Sequence, residues 1–253
     1  MIENSFCFDD VLIVPFFSKI NSRKEVDIST RINNLKLSLP IISANMDTVT
    51  GNKMATARNI SDFLFHSKSN ETPNVFKVGI GGGSMCTTRI VTGCGMPTLQ
   101  SVMDCYRYTN ELGINIIADS GIKNSGDIVK ALAAGADAVM VGSLLAGTEE
   151  TPGELVTRSD PYGGAFYKKY RGSASKESYE AQNKLSEHRT PEGESTFVRY
   201  KGQVNDILQN LSAGVKSGLT YVGANNLTEL KQNARFIKIT NSGLIESKPH
   251  GKN

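Results

Sequence analysis

The sequence predicts an α/β fold built on a parallel sheet, and three observations carry that prediction. Between residues 75 and 147 the pattern reads strand, loop, helix, strand, loop, helix, strand, and this βαβαβ grammar produces parallel strands. INIIADSG (114–121) and the apolar centre of LSLPIISANMDTV (37–49) read as strands buried in a parallel sheet. Polar and glycine residues gather at the C-terminal end of each strand. A (β/α)8 barrel carries its chemistry there, and an open doubly wound sheet would place ligands there too.

Residues 1–36 read as an irregular arm with polar turns. LSLPIISANMDTV (37–49) has an apolar centre that turns polar, the pattern of a buried strand ending in a functional loop. NKMATARNI (52–60) reads as a short helix, DFLFH (62–66) as a second strand and 67–74 as a polar linker. VFKVGI (75–80) is a strand running into glycines. TLQSVMDCYRYTNELG (98–113) has helical spacing and stops at Gly113, a C-cap residue. INIIADSG (114–121) is a strand entering a turn. SGDIVKALAAG (125–135) is a helix with Ser125 or Asp127 near its cap and Gly135 at its end. ADAVMVGSLLAG (136–147) is a further strand and glycine turn. The polar, glycine-rich stretch 151–202 reads as a lid or flap, or else as disordered. NDILQNLSAGVKSGL and NLTELKQNA read as closing helices, and ARFIKIT as an edge strand or arm. The chain is taken as a single domain over 1–253, with a flap insert at about 151–202.

Composition narrows the function classes. Of 253 residues 39% are apolar and 21% charged, enough for a core and unlike a disordered chain. The net charge is +3 and no Lys/Arg run stands out, so nucleic acid is not an expected partner. Cys7, Cys86, Cys94 and Cys105 form no CxxC pair or zinc spacing, and His66, His188 and His250 show no ligand spacing. The first segment lacks the basic n-region of a signal peptide, and no apolar run approaches a membrane span. A reducing, cytoplasmic setting with free thiols is expected.

The segment of greatest chemical interest is GIGGGSMCTTR (79–89). Backbone N–H groups in Gly-rich turns cradle anions. No GK[ST] follows the glycines and GIGGGSM opens no clear helix, so neither a Walker A loop nor a dinucleotide fingerprint fits. Cys86 is either an activated nucleophile or a small buried thiol. If ADSG (118–121) and VGSLLAG (141–147) follow the last two barrel strands, their loops form the usual phosphate site. Ser84, Gly121, Gly142 and Ser143 would then converge; ordinary glycine turns are the alternative.

FDDVLIVP (8–15), ANMDTVTG (44–51), KVGIGGGSMCTTR (77–89), TGCGMPTLQSVMDC (92–105), SGDIVKALAAGADAVMVGSLLAGTEETPGE (125–154) and KGQVNDILQNLSAGVKSGLTYVGA (201–224) resemble, in order, the IMP dehydrogenase/GMP reductase family. The resemblance implies a TIM (β/α)8 barrel acting on purine nucleotides through a covalent cysteine thioimidate, with Cys86 as nucleophile and Thr88 and Glu192 relaying protons. It implies that Ser84, Gly121, Gly142, Ser143 and Tyr170 hold the 5′-phosphate and Asp119 the ribose. Met46, Gly172 and Ser173 would line the purine; Ser173, Arg189 and Gly193 would meet NADPH. A potassium ion would sit on the backbone carbonyls of Gly81, Gly83 and Cys86. Partners implied are GMP and IMP, with a homotetramer as the assembly and no membrane.

Within the family three features resemble GMP reductases: Asn45 before Met46, a flap GSASKESYEAQ without the Arg-Tyr pair of dehydrogenases, and Arg189 and Glu192 in HRTPEG. YRG (170–172) and LIESKPH look more like IMP dehydrogenase, the alternative reading. The family's aspartate-glycine-glycine is DSG here, with Ser120 in the middle. No CBS pair is expected. Between ANMDTVTG and KVGIGGGS, family members carry roughly a hundred more residues, in keeping with a full barrel of about 250 residues plus insertions. Strands three to five and the cofactor-binding aspartate after strand four are therefore expected to be missing. This leaves a catalytically impaired nucleotide-binding relative as a further alternative.

Overall fold

The structure is a computed structural model describing residues 4–51, 53–54, 74–160, 163–184 and 190–249. The expected second strand at 62–66, most of the helix at 52–60, all three histidines and Arg189 lie outside the described residues.

The strands are β1 (Val11–Ile13), β2 (Thr30–Ile32), β3 (Leu35–Leu37), β4 (Ile41–Ser43), β5 (Val75–Val78), β6 (Asn115–Asp119), β7 (Ala138–Val141), β8 (Val156–Asp160), β9 (Gly163–Arg171), β10 (Ser195–Arg199) and β11 (Phe236–Lys238). The central sheet has the order β4-β7-β6-β5 and is parallel throughout. Its first strand lies beside its last, the cyclic order of a barrel wall; a doubly wound sheet reverses its strand order in the middle.

Side chains alternate across this wall. Ile41, Val78, Ile116, Ala118, Val139 and Val141 face one way into the main core, against Leu99, Val102, Ile128, Leu132, Val215 and Leu219 of the helices. Ile42, Ile117, Ala138 and Met140 face the other way and meet Ile32 and Leu37 of the β2–β3 hairpin. Both faces are apolar, which explains the unbroken apolar runs.

Helix ends follow local chemistry. Helix Thr98–Leu112 stops at Gly113 in the left-handed region, φ 65°, where the Gly113 N–H reaches Thr109 O. Helix Ser125–Ala133 is capped by Asn124, whose side chain accepts the Asp127 N–H, rather than by Ser125 or Asp127. Helix Val204–Val222 crosses it closely: a Cβ on Gly214 would lie 2.2 Å from Ser125 Oγ. Among the described residues no helix is long and apolar enough to cross a membrane.

Two regions are more regular than the sequence suggests. The N-terminal arm contributes β1, antiparallel to β11, and the β2–β3 hairpin, which turns at Asn33 with φ 53°. The 151–202 stretch builds a three-stranded antiparallel sheet, β10-β9-β8, with a short helix Lys176–Ala181. ARFIKIT supplies β11, an edge strand.

Candidate active site

The loops after β4, β5, β6 and β7 share the C-terminal edge of the parallel wall, and the β9–β10 flap adds to them. In the loop after β5, the side chain of Arg89 lies between two glycines. A Cβ on Gly81 would stand 2.7 Å from Arg89 Cγ, and one on Gly95 2.5 Å from it. The guanidinium donates to Ile80 O (3.3 Å) and Met96 O (2.6 Å). The arginine that follows the cysteine is therefore the rod around which the glycine loop folds. Arg89 lies in a short helix, Thr88–Thr92, that follows the glycine loop where GIGGGSM shows no clear helix signal.

This arrangement makes a coupled prediction. Gly95→Ala is expected to destabilise the protein by about 1–3 kcal/mol through overpacking. In an Arg89→Ala background the same change should be close to neutral, because the clashing side chain is gone. Thermal melts of the four proteins check this; equal costs in both backgrounds would refute the packing.

Cys86 heads a hydrogen-bonded chain. Its thiol donates to Thr88 Oγ1 at 3.1 Å, and the Thr88 hydroxyl donates to Glu192 Oε2 at 2.7 Å. Glu192 comes from the flap, 104 residues away in sequence, and backbone bonds hold it there. The Thr87 N–H donates to Glu192 O (2.8 Å), Glu192 N–H to Ala174 O (3.0 Å) and Glu194 N–H to Met85 O (2.8 Å). The seam is tight: a Cβ on Gly193 would lie 3.1 Å from Met85 O, and one on Gly172 3.2 Å from it.

A second cluster lies beside it. Ser84 Oγ and Tyr170 Oη are 3.1 Å apart. Tyr170 is buried, and burial pushes its phenol up while the Ser84 hydrogen bond works the other way. Gly142 leaves room for both neighbours: a Cβ there would meet Tyr170 Oη at 3.1 Å and Met46 Sδ at 3.3 Å. Ser84, Gly121 and Ser143 line one cavity of about 260 Å³, together with Gly82, Arg89 and Lys123. Ser120 adopts φ 88°, so the left-handed turn is kept with serine in place of glycine. Its hydroxyl sits 3.2 Å from Thr98 Oγ1. Asp119 is ion-paired with Lys77 of β5.

Not every expected residue joins these clusters. Ser173, between β9 and the short flap helix, is exposed, while neighbouring Gly172 is buried. The Gly83 carbonyl accepts the Cys86 N–H at 3.0 Å, closing a tight turn. Three contributors carried no expected role. Arg89 stands in the quoted motif, but its glycine partner Gly95 is distant in the pattern. Lys201 donates to Ser143 O (2.7 Å) and Leu144 O (3.3 Å), propping the loop after β7. Buried Lys168 donates to Thr151 O (2.6 Å) and Glu149 O (3.0 Å), and burial pushes its ammonium down.

A family model described as the IMP dehydrogenase / GMP reductase domain matches residues 5–60 and 68–250. The chain belongs to this family. The matched ranges are interrupted at 61–67, between β4 and β5. Curated relatives include the inosine-5′-monophosphate dehydrogenase of Nitrosopumilus maritimus (strain SCM1), 42% identical over 252 residues, 95% of this chain and 49% of that protein. That of Helicobacter pylori (strain ATCC 700392 / 26695) is 44% identical over 214 residues, 81% of this chain and 42% of that protein. The chain spans about half the length of the curated relatives it matches. A crystal structure of a GMP reductase variant from Trypanosoma brucei in complex with guanosine 5′-monophosphate aligns with a TM-score of 0.86 at 22% identity, over 99% of this chain and 98% of that one. This likeness establishes the fold, and the four parallel strands are an arc of the TIM barrel of the family.

Proposed function

We propose that this chain is a GMP reductase: NADPH-dependent reductive deamination of GMP to IMP and ammonia through a thioimidate on Cys86. The observation that carries the reading is the unbroken chain Cys86–Thr88–Glu192. The thiol must lose a proton to attack C2 of the purine, and the 2-amino group must gain one to leave as ammonia. A hydroxyl between thiol and carboxylate serves both needs: Thr88 passes the proton to Glu192, and Glu192 returns it to the departing amine. Ser84, Tyr170, Gly121, Gly142 and Ser143 take the phosphate, and Asp119 the ribose in exchange for Lys77. Met46, Gly172 and Ser173 border the base. The flap lacks the Arg-Tyr pair with which dehydrogenases activate water, and this favours the reductase.

NADPH would supply a hydride to C2. Exposed Ser173 suits contact with the nicotinamide. Gly193 packs against Met85 O and Ser175 N, which gives it a part in joining flap to cysteine loop. Arg189 completes the proposed set. The potassium reading finds less support, since the Gly83 carbonyl is engaged by Cys86 N–H, and no step is derived from it. A homotetramer in the cytoplasm belongs to the same proposal.

Two other readings are separated by one experiment. The names of the curated relatives favour IMP dehydrogenase. The short stretch between β4 and β5 favours a nucleotide binder without redox chemistry. NADPH oxidation with GMP, absent in Cys86→Ala, is the expected result. NAD reduction with IMP would replace the reductase with the dehydrogenase. Neither activity, together with protection of Cys86 from alkylation by GMP, would leave only a binder.

A further inference from the structure

We infer that Asp47 and Arg171 are positioning residues that set the width of the nucleotide slot, by fastening the loop after β4 to flap strand β9. The inference rests on the nucleotide reading proposed above and adds residues to which no role has been given.

The two residues lie 124 positions apart and meet through a fork. Arg171 Nε donates to Asp47 Oδ1 (3.2 Å) and Oδ2 (3.1 Å), and Nη2 donates to Oδ2 as well. Nη1 reaches on to the Glu177 carbonyl at 3.2 Å, tying in the short flap helix. A side chain of the β4 loop grips the Arg171 backbone at the same point: Arg171 N–H donates to Thr48 Oγ1 at 3.1 Å. The Arg171 side chain is only 18% exposed, so solvent screens this pair less than an open surface pair. A guanidinium fork on a carboxylate fixes orientation as well as distance.

Their chain neighbours explain why that orientation matters. Asp47 follows Met46 and Arg171 follows Tyr170. Met46 Sδ and Tyr170 Oη approach Gly142 from two different elements, each within 3.3 Å of where a Cβ would stand. The turn at Met46 is stiff, since its carbonyl accepts the N–H groups of Val49 and Thr50, both at 2.9 Å. Gly172, on the other side of Arg171, donates its N–H to Glu194 O at 2.9 Å, in the segment that carries Glu192. Movement at the Asp47–Arg171 joint thus reaches the base side and the phosphate side of the slot together. None of these contacts requires Asp47 or Arg171 to touch the nucleotide.

The test is a double-mutant cycle read by protection of Cys86 from iodoacetamide, with intact mass reporting alkylation. The concentration of GMP giving half protection is measured in wild type, Asp47→Asn, Arg171→Gln and the double variant. Each single change is expected to raise that concentration about tenfold, and the double variant about tenfold rather than a hundredfold, because one joint is lost in all three. The alkylation rate without GMP should stay within about twofold of wild type, a readout that general loosening of the fold would move. Arg171→Lys, which keeps the charge without the fork, should fall between wild type and Arg171→Gln. Single variants with wild-type half protection, additive losses in the double, or a faster unprotected reaction in every variant would each overturn the inference. If GMP and IMP both fail to protect wild-type Cys86, the nucleotide reading itself falls and takes this inference with it.

Discussion

Glu192→Gln is expected to lower turnover of GMP by about 10²–10⁴-fold, the range for loss of a general acid–base. The amide keeps the shape of the side chain and still offers an oxygen to the Thr88 hydroxyl, so the 2.7 Å contact can persist. What the amide lacks is a proton-accepting carboxylate. The thiol proton then has no terminus, and the leaving amine has no nearby acid. Thr88→Val cuts the same chain one link earlier, between the thiol at 3.1 Å and the carboxylate. Its loss should be comparable, and the double variant should be little worse than either single, because residues acting as one unit do not contribute additively. Steady-state NADPH oxidation with GMP measures all three. GMP protection of Cys86 in Glu192→Gln should stay within about threefold of wild type, which separates chemistry from binding. Turnover of Glu192→Gln within threefold of wild type would remove Glu192 from the proton path.

The contrast between Thr88 and Glu192 shows where sequence reasoning stops. Thr88 lies two residues from Cys86, and local spacing alone places it nearby. Glu192 has no local signal, since it reaches the thiol only after β9 and β10 have paired; resemblance to a family supplied it. The central strands were legible because both faces of the wall are apolar, so β6 and β7 read as nearly plain apolar runs. Strand β9 was illegible because its pattern is inverted. Lys168 is 5% exposed and Phe166 is 56% exposed, so alternation of apolar and polar residues points the wrong way. Lys168 is held inside by two backbone carbonyls that no sequence pattern announces. Strands of three residues such as β1 are too short for any period, and only pairing with β11 makes them strands. At the cap of helix Ser125–Ala133, Asn124, Ser125 and Asp127 are all plausible by type. Geometry chose Asn124, whose oxygen reaches the Asp127 N–H.

Gly79→Ala is expected to be the most damaging small substitution in the described residues. Gly79 leaves β5 with φ 141°, a backbone that L side chains rarely adopt. A Cβ there would stand 1.9 Å from the carbonyl oxygen of Asp119, on the neighbouring strand β6. That atom belongs to backbone and cannot swing aside. Relief requires β5 and β6 to part at their functional ends, which moves the Cys86 loop and the Asp119–Ser120–Gly121 turn together. Backbone strain and overpacking each cost about 1–3 kcal/mol, so a total of about 3–5 kcal/mol is expected. At roughly 2–4 °C per kcal/mol for a chain of this size, the melting midpoint should fall by about 10 °C. Half protection of Cys86 should need at least about tenfold more GMP, since both halves of the slot shift by more than a 1.4 kcal/mol perturbation. Gly93→Ala is the control: φ there is 72° and nothing lies within 4 Å of the new carbon. It carries only the left-handed cost of about 1–2 kcal/mol. The difference between the two melts reports the contact with Asp119 together with the more strained φ of Gly79. Equal midpoints would mean that the junction of β5 and β6 yields freely, and the claim that this glycine lets the two strands close over the site would fail.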